Sequence, residues 1–137
     1  MSPKPAGFRE HDHMADWELE VWAPDMRGLL EQAARGMYAL SSVRLADAPR
    51  RERTLQISAH DAESLLVAFL QELLYIGEME AVGFDVYDIS LDANTLNARL
   101  LGSPIETIDK EIKAVTYHNI KVEDIDNGVT VRIVFDV

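Results

Sequence analysis

Two segments near opposite ends of the chain alternate between apolar and polar residues, and this alternation constrains the fold more than any other feature. The first runs from Trp17 to Ala23 and the second from Val129 to Val137. A period of two residues is typical of a strand with one face on the core and the other in solvent. Asn127-Gly128, directly before the second segment, is a strong hairpin signal. The sequence therefore predicts a sheet that uses both ends of the chain.

Two amphipathic segments lie between these strands and are predicted to be helices. Asp25 and Asp61 precede them, and Asp is a favoured N-cap residue. Gly77 is expected to end the second helix, because glycine commonly follows the last helical turn. The apolar stripes, spaced as helical faces require, are Met26, Leu29, Leu30, Ala33, Met37 and Leu40 in the first helix and Leu65, Leu66, Phe69, Leu70, Leu73 and Leu74 in the second.

The remainder of the chain predicts further strands joined by short connections. These strands cover residues 54–58, 82–92, 95–101 and 114–124. The apolar phase shifts between Val86 and Tyr87, which predicts a β-bulge there. Asn94 is expected in a hairpin turn, and residues 102–104 are expected to open a loop connection.

The order of these elements predicts an α+β fold. Two helices would cover one face of a largely antiparallel or mixed sheet. The repeated strand–helix–strand units suggest an internal duplication, although no sequence self-similarity establishes one. Residues 1–7 contain proline and glycine and predict a disordered tail, and residues 8–137 fit a single domain.

Composition excludes several classes of site. The 137 residues carry a formal charge of −11 and no cysteine, which rules out disulfides, zinc thiolates, Fe–S clusters and thiol catalysis. No apolar run of membrane-spanning length and no signal peptide is present, which predicts a cytoplasmic protein without a membrane partner. The charge disfavours direct nucleic-acid binding and favours cations or a basic protein partner. The one basic cluster, residues 50–53, is interpreted as a solvated loop and strand start.

Asp16 and Asp136 form the best candidate for a site. Both lie on the polar faces of the terminal strands, one at a start and the other at an end. If those strands are antiparallel neighbours, the two carboxylates converge, and the main-chain carboxylate of Val137 can join them. Such hard oxygen donors suit Ca²⁺, Mg²⁺ or Mn²⁺. Asp12 and His13 are candidate outer partners of these ligands.

Plainer interpretations of the same residues remain open. Asp16 can decorate the start of a strand, Asp136 can lie in solvent, and His13 can be an ordinary hydrogen-bonded surface histidine. No nucleophile elbow, phosphate-binding glycine loop or HExxH motif is present, so the residues give no independent case for catalysis. A stand-alone metal-dependent hydrolase and a metal-free chaperone or scaffold both remain open as functions of the chain.

Three ordered motifs make the chain resemble the archease family from about Phe8 to Val137. The family's opening signature, an acidic residue followed by His-Thr-Ala-Asp-hydrophobic-Gly, stands here as residues 12–18. Residues 111–118 are similar to its string Val-Lys-Ala-Val-Thr-Tyr-His, and residues 134–137 to its final Phe-Asp-Val. Residues 62–77 look like its leucine-rich helix.

The resemblance implies a function as well as a fold. Archeases are small α+β proteins, not enzymes, that serve as cofactor proteins for RtcB-type RNA ligases in tRNA splicing and RNA repair. They promote guanylylation of the ligase and its multiple turnover. The family's metal ligands correspond to Asp16, Asp136 and Val137, with calcium as the implied ion, and Lys113 is implied as a contact to the ligase or its nucleotide.

Two residues depart from the opening signature. Met14 stands where the family has Thr, and Glu18 stands where it has Gly. Met14 removes a hydroxyl that can hydrogen-bond near the ligands. Glu18 adds a negative charge near the implied ion, which is expected to alter its affinity.

Overall fold

The chain folds into two antiparallel sheets and two helices, as a computed structural model describes for residues 6–11 and 17–137. The helices are α1 (Met26–Leu40) and α2 (Ala62–Glu80). The strands are β1 (Gly7–His11), β2 (Trp17–Ala23), β3 (Arg44–Leu45), β4 (Arg51–Ser58), β5 (Val82–Asp92), β6 (Thr95–Thr107), β7 (Ala114–Val115), β8 (Glu123–Ile125) and β9 (Gly128–Asp136). The predicted α+β class is confirmed.

The first sheet joins the two ends of the chain, as the alternation predicted. Its order is β1-β2-β9, and β7 and β8 both pair with β9 along its remaining edge. Strands β2 and β9 are antiparallel, with Trp17 opposite Phe135 and Ala23 opposite Val129. Leu19 on β2 is fully buried, so the apolar residues face the core and the polar residues face outward.

Strand β1 has no counterpart among the predicted elements, because its sequence is short and mostly polar. It pairs along the outer edge of β2, with Gly7 opposite Trp22. A Cβ atom on Gly7 would lie 2.7 Å from the Trp22 ring, so the small residue lets this ring lie across the strand.

A second sheet, separate from the first, corrects the expectation of a single sheet. Strand β6 is its centre, with β5 on one edge and β4 and β3 in succession on the other. Residues 102–104 were predicted as a loop, but they continue β6 through to Thr107. Pro104 is tolerated there because the strand needs no donor at that position, and its carbonyl accepts a hydrogen bond from the N–H of Ala46 at 2.8 Å.

The predicted bulge in β5 exists, one or two residues earlier than expected. The register with β6 shifts between Phe84 and Val86. After the shift Val86 is exposed and Tyr87 is buried, which is the phase change visible in the sequence. The Tyr87 hydroxyl donates to the carbonyl of Phe84 at 2.7 Å across the irregular step.

The predicted strand over residues 114–124 is wrong in its length. Only Ala114–Val115 and Glu123–Ile125 pair with β9, and a loop separates them. Thr116 donates both its main-chain N–H and its hydroxyl to the carbonyl of Val134, at 3.0 and 2.9 Å. The ladder stops here because the chain then turns away from β9. Asn127 has a φ of 63°, as the predicted hairpin turn requires.

Both helices begin at the predicted caps, but α2 ends later than predicted. Asp25 accepts from the N–H of Gly28 at 2.8 Å, and Asp61 accepts from the N–H of Ser64 at 2.7 Å. Helix α2 passes through Gly77 and ends at Ala81, which has a φ of 55°. The Ala81 N–H donates to the carbonyl of Gly77, so alanine occupies the left-handed position that usually takes glycine.

The two helices and the inner faces of both sheets enclose one hydrophobic core. Leu29, Leu30, Met37, Phe69 and Leu70 from the helices are all fully buried. Phe135 from β9 is also fully buried, close to the end of its strand. The end of β9 that carries Asp136 is therefore anchored by the hydrophobic core.

Two glycine substitutions should change stability in opposite directions. In Gly102→Ala, the new Cβ would overlap the carbonyl oxygen of Gly83 on β5, which is main chain and cannot move aside. We expect the free energy of unfolding to fall by roughly 2–3 kcal/mol. In Gly77→Ala, the nearest atom is Ile105 Cδ1 at 3.7 Å, so we expect a gain of roughly 0.5–1 kcal/mol from helix propensity. Urea denaturation measures both, and a stable Gly102→Ala variant would contradict the packing described for β5 and β6.

Candidate functional site

The end of β9 is held between two other strands. Trp17, the residue after Asp16 in the sequence, lies opposite Phe135, and Ala114 lies opposite Asp136. The N–H of Lys113 donates to the carbonyl of Asp136 at 2.8 Å. The start of β2 and the end of β9 thus meet at one end of the first sheet, which is the arrangement that the candidate site requires.

Asp136 presents its side chain outward at this end of the sheet. It is exposed, and its carboxylate takes part in no ion pair or side-chain hydrogen bond with the part of the chain that the structure describes. The side chain of Val137 packs in the opposite direction, against the core. Asp136 therefore has a carboxylate that is available to a cation, and its backbone is fixed by Lys113.

The other predicted ligands cannot be placed in the same way. Asp16, together with Asp12 and His13, lies outside the described residues, and so does Met14. Among residues 6–11 and 17–137, no group of three or more His, Asp or Glu side chains is arranged to hold a metal ion. A carboxylate donor at Asp136 fits a hard divalent ion in its chemistry, and the metal site as a whole stays a prediction.

Glu18 forms an ion pair across the first sheet. The residue is about nine-tenths buried, and the Nη1 atom of Arg132 donates to its Oε1 at 2.9 Å. Arg132 projects from the neighbouring strand β9 on the same outer face. The negative charge that distinguishes this chain from the family signature is therefore balanced by an arginine of its own.

Glu20, a second carboxylate on this face, interacts with three basic side chains, those of His11, Arg9 and Arg132. His11 Nε2 lies 3.2 Å and Arg9 Nη1 lies 3.7 Å from Glu20 Oε1. These contacts lower the pKa of Glu20: the hydrogen bond with His11 contributes most, and the charges of Arg132 and Arg9 add to it against the opposing effect of burial. Sequence analysis missed this cluster because it missed β1, although basic residues alternate there opposite the acids of β2.

The segment before β7 contacts the end of α1, and β7 itself contacts the middle of α2. The N–H groups of Asp109 and Lys110 donate to the carbonyl of Ser41, which follows α1, at 3.0 and 3.5 Å. The N–H of Val115 donates to Gln71 Oε1 on α2 at 3.1 Å. Lys110 Nζ lies 5.9 Å from the centre of the Trp17 ring, so this segment also reaches the start of β2.

Lys113 lies in this segment and lines a groove of about 280 Å³. The groove is bounded by the end of α1, by α2, by the end of β6 and by residues 108–113. The backbone of Lys113 contacts Asp136, and the same residue lines the groove, so the groove and the predicted metal site are neighbours. The sequence pointed to Lys113 only by resemblance, and no periodic pattern indicated the groove.

The described part of the chain has no helix of the length and apolar character needed to cross a membrane.

Comparison with known proteins gives a consistent result along the whole chain. Residues 8–137 match the model of the Archease protein family (MTH1598/TM1083). A "Protein archease-like" from Dictyostelium discoideum is 32% identical over 141 residues, which covers 95% of this chain and 93% of that protein. A "Protein archease" from Methanothermobacter thermautotrophicus is 30% identical over 138 residues, with coverages of 95% and 98%.

Solved structures share the fold. The solution structure of Methanobacterium thermoautotrophicum protein 1598 superposes with a TM-score of 0.71 at 28% identity, covering 96% of this chain and 99% of that one. The crystal structure from Thermotoga maritima described as "an archease, possible chaperone" gives a TM-score of 0.69 at 22% identity, with coverages of 100% and 98%. At 22% identity the second likeness supports the fold alone.

The lowered pKa of Glu20 predicts a specific dependence of stability on pH. A glutamate whose pKa is lowered by folding stabilises the folded state. This stabilisation is fully present above the pKa of glutamate in the unfolded chain, about 4.3, and is lost as the pH falls through the lower pKa of the folded state. We therefore expect Glu20→Gln to lower the free energy of unfolding at pH 7 and to have a shrinking effect below pH 4. Urea denaturation across this range measures the difference, and Glu10→Gln on β1 is the control. An effect of Glu20→Gln that does not change with pH would contradict the prediction.

Proposed function

Because the chain belongs to the archease protein family, we propose that it activates an RtcB-type RNA ligase, promoting guanylylation and multiple turnover of the ligase in tRNA splicing and RNA repair. The family match extends over residues 8–137, so it includes each of the three motifs that carry the resemblance. The protein would act as a helper and would not itself be an enzyme.

The observation that best supports this proposal is the register of β2 with β9. It sets Trp17 opposite Phe135, which are the sequence neighbours of Asp16 and Asp136. The proposed ligands of a divalent ion, calcium in the first instance and Mg²⁺ or Mn²⁺ as alternatives, are Asp16, Asp136 and the main-chain carboxylate of Val137. Asp12 and His13 would orient these ligands from outside.

The bound ion would supply positive charge that relieves the repulsion between clustered carboxylates. The chain's own residues do the rest. Lys113 fixes the backbone of Asp136 through a 2.8 Å hydrogen bond, and the buried side chain of Phe135 anchors the same strand end. A carboxylate held on rigid strands, rather than on a loop, keeps its position when a partner docks.

The charge of the protein suits a helper of an RNA-binding enzyme. With a net charge of −11, it is attracted to a basic ligase surface and repelled by the phosphates of the RNA. It can therefore dock without competing for the substrate. In the proposed complex this end of the sheet approaches the nucleotide-binding centre of the ligase and shapes it before nucleotidyl transfer, with Lys113 in contact with the ligase or the nucleotide.

Asp136→Asn should separate the proposed site from the fold. Asn keeps the size of the side chain but removes its charge, so we expect single-turnover guanylylation of the cognate ligase to slow by roughly tenfold or more, as the loss of a charged metal ligand predicts. Asp124→Asn is the control, because Asp124 lies opposite Val129 at the other end of β9. Calorimetric titration with Ca²⁺ and Mn²⁺ should show weakened binding for Asp136→Asn only. Stimulation equal to that of the wild type would contradict the proposed site.

Lys113→Met should reduce stimulation of the ligase without changing the binding of the metal ion. The substitution removes the charge of an exposed side chain while leaving its backbone hydrogen bond to Asp136 intact. We expect a loss of stimulation of roughly threefold to tenfold, as for a charged contact at an interface, with unchanged calcium binding. Lys121→Met, a loop lysine outside the groove, serves as the control. Equal stimulation by both variants would remove Lys113 from the proposed contact.

The purified wild-type protein also tests the two alternative functions, a metal-dependent hydrolase and a metal-free scaffold. Turnover of phosphoester substrates by the purified protein alone would favour a metal-dependent hydrolase. Absence of binding of both Ca²⁺ and Mn²⁺ by the wild type, combined with intact ligase stimulation, would favour a metal-free scaffold.

A further inference from the structure

The groove beside Lys113 combines an apolar wall with a charged rim. Leu74 on α2, Ile105 on β6 and the exposed Ile108 contribute aliphatic surface to the lining. Glu78 on α2 and Glu111 in the segment before β7 lie at the exposed rim. A volume of about 280 Å³ is enough for one long side chain but small for a nucleotide.

The two rim carboxylates are not neutralised within the part of the chain that the structure covers. Glu78 and Glu111 form no ion pair or side-chain hydrogen bond there, whereas nearby Glu80 is held by Arg53 Nη2 at 2.5 Å from both of its oxygens. Among the described residues that line the groove, Lys113 is the one with a positive charge, and it forms no ion pair with either acid. The lining therefore carries a net charge of about −1 and attracts a cation.

Exposed apolar side chains continue the surface beyond the groove. Tyr75 and Met79 follow Gln71 at successive helical turns of α2, and Gln71 lines the groove. Tyr75 is 55% exposed and Met79 is 63% exposed. Aromatic residues and methionine are enriched at protein interfaces, so this side of α2 has the composition of a docking surface and not only of a ligand pocket.

We propose that this groove receives an arginine side chain presented by a basic partner protein. The aliphatic stem of arginine would cover Leu74, Ile105 and Ile108, and its guanidinium would hydrogen-bond to Glu78 and Glu111. Tyr75 would contact the backbone around this arginine. An anionic ligand is opposed by the two carboxylates, and a purely apolar ligand would leave them desolvated without a partner. The identity of the partner as the RNA ligase rests on the proposed function, but the choice of a long cationic side chain rests on the groove itself. Arginine is favoured over lysine because its planar guanidinium can donate to two carboxylates at once.

A capped amino acid tests the groove without any ligase. Titration of the ¹⁵N-labelled protein with Nα-acetyl-L-arginine amide should give saturable NMR shifts at Gln71, Glu78, Ile108 and Glu111, with a Kd of about 1 mM as expected for so small a ligand. Nα-acetyl-L-norleucine amide, which has an aliphatic stem but no charge, should bind at least roughly fivefold more weakly, because it cannot pair with the carboxylates. Shifts spread over all surface carboxylates, or equal binding of both probes, would overturn the proposal.

Substitutions that remove acidic or basic charge from the groove should change its affinity for the arginine probe in opposite directions. Glu78→Gln and Glu111→Gln should each weaken binding of the arginine probe by roughly threefold to tenfold, and Lys113→Met should tighten it by about twofold, because it removes a repulsive charge. Glu123→Gln, on β8 outside the groove, is the control for net charge. If all the acidic variants change the affinity equally, the groove is not the site.

These results are independent of the Asp136 experiments. If the arginine probe binds as expected but the ligase is not stimulated by the wild-type protein, the groove proposal stands and the ligase assignment fails. If the ligase is stimulated but the probe does not bind in the groove, the groove proposal fails and the ligase assignment stands.

Discussion

The antiparallel pairing of β2 with β9 is the contact on which the remainder of the molecule depends. It places one strand from each end of the chain side by side, and their inward residues Leu19, Val21, Ile133 and Phe135 form part of the core beneath the helices. The outward residues of the same two strands include Glu18 and Arg132, whose ion pair spans the sheet. One register thus determines both the packing on one face and the electrostatics on the other. A slip by one residue would turn the apolar side chains of a strand toward solvent and its polar side chains toward the core.

Much of this architecture was predictable because it follows from local patterns. The alternation of β2 and β9, the caps at Asp25 and Asp61 and the Asn127 turn each depend on a few neighbouring residues, and all are present. The errors arose where tertiary contacts overrule local preference. Helix α2 continues through Gly77 to the left-handed Ala81, and residues 102–104 remain in a strand because all three pair with β5.

The candidate site likewise has features that local sequence predicted and features that it did not. Residue parity predicted that Asp136 faces outward and that the side chain of Val137 faces the core, and the structure agrees for both. The approach of Asp16 depends on residues outside the described part of the chain, so it remains a prediction. The groove escaped sequence analysis because it is assembled from segments far apart in the chain, such as α2 and residues 108–113, whose proximity no local pattern encodes. The Glu20 cluster escaped it because β1, which supplies Arg9 and His11, was not predicted.

The long-range pairing between Trp17 and Phe135 also has a consequence for biosynthesis. Residues more than a hundred positions apart must meet before the first sheet exists, and closing so large a loop is entropically costly and slow. While a ribosome is still making the chain, β2 has already emerged but β9 has not. Until β9 is released, one hydrogen-bonding edge of β2 has no partner, so the first sheet can be completed only after nearly the whole chain has left the ribosome.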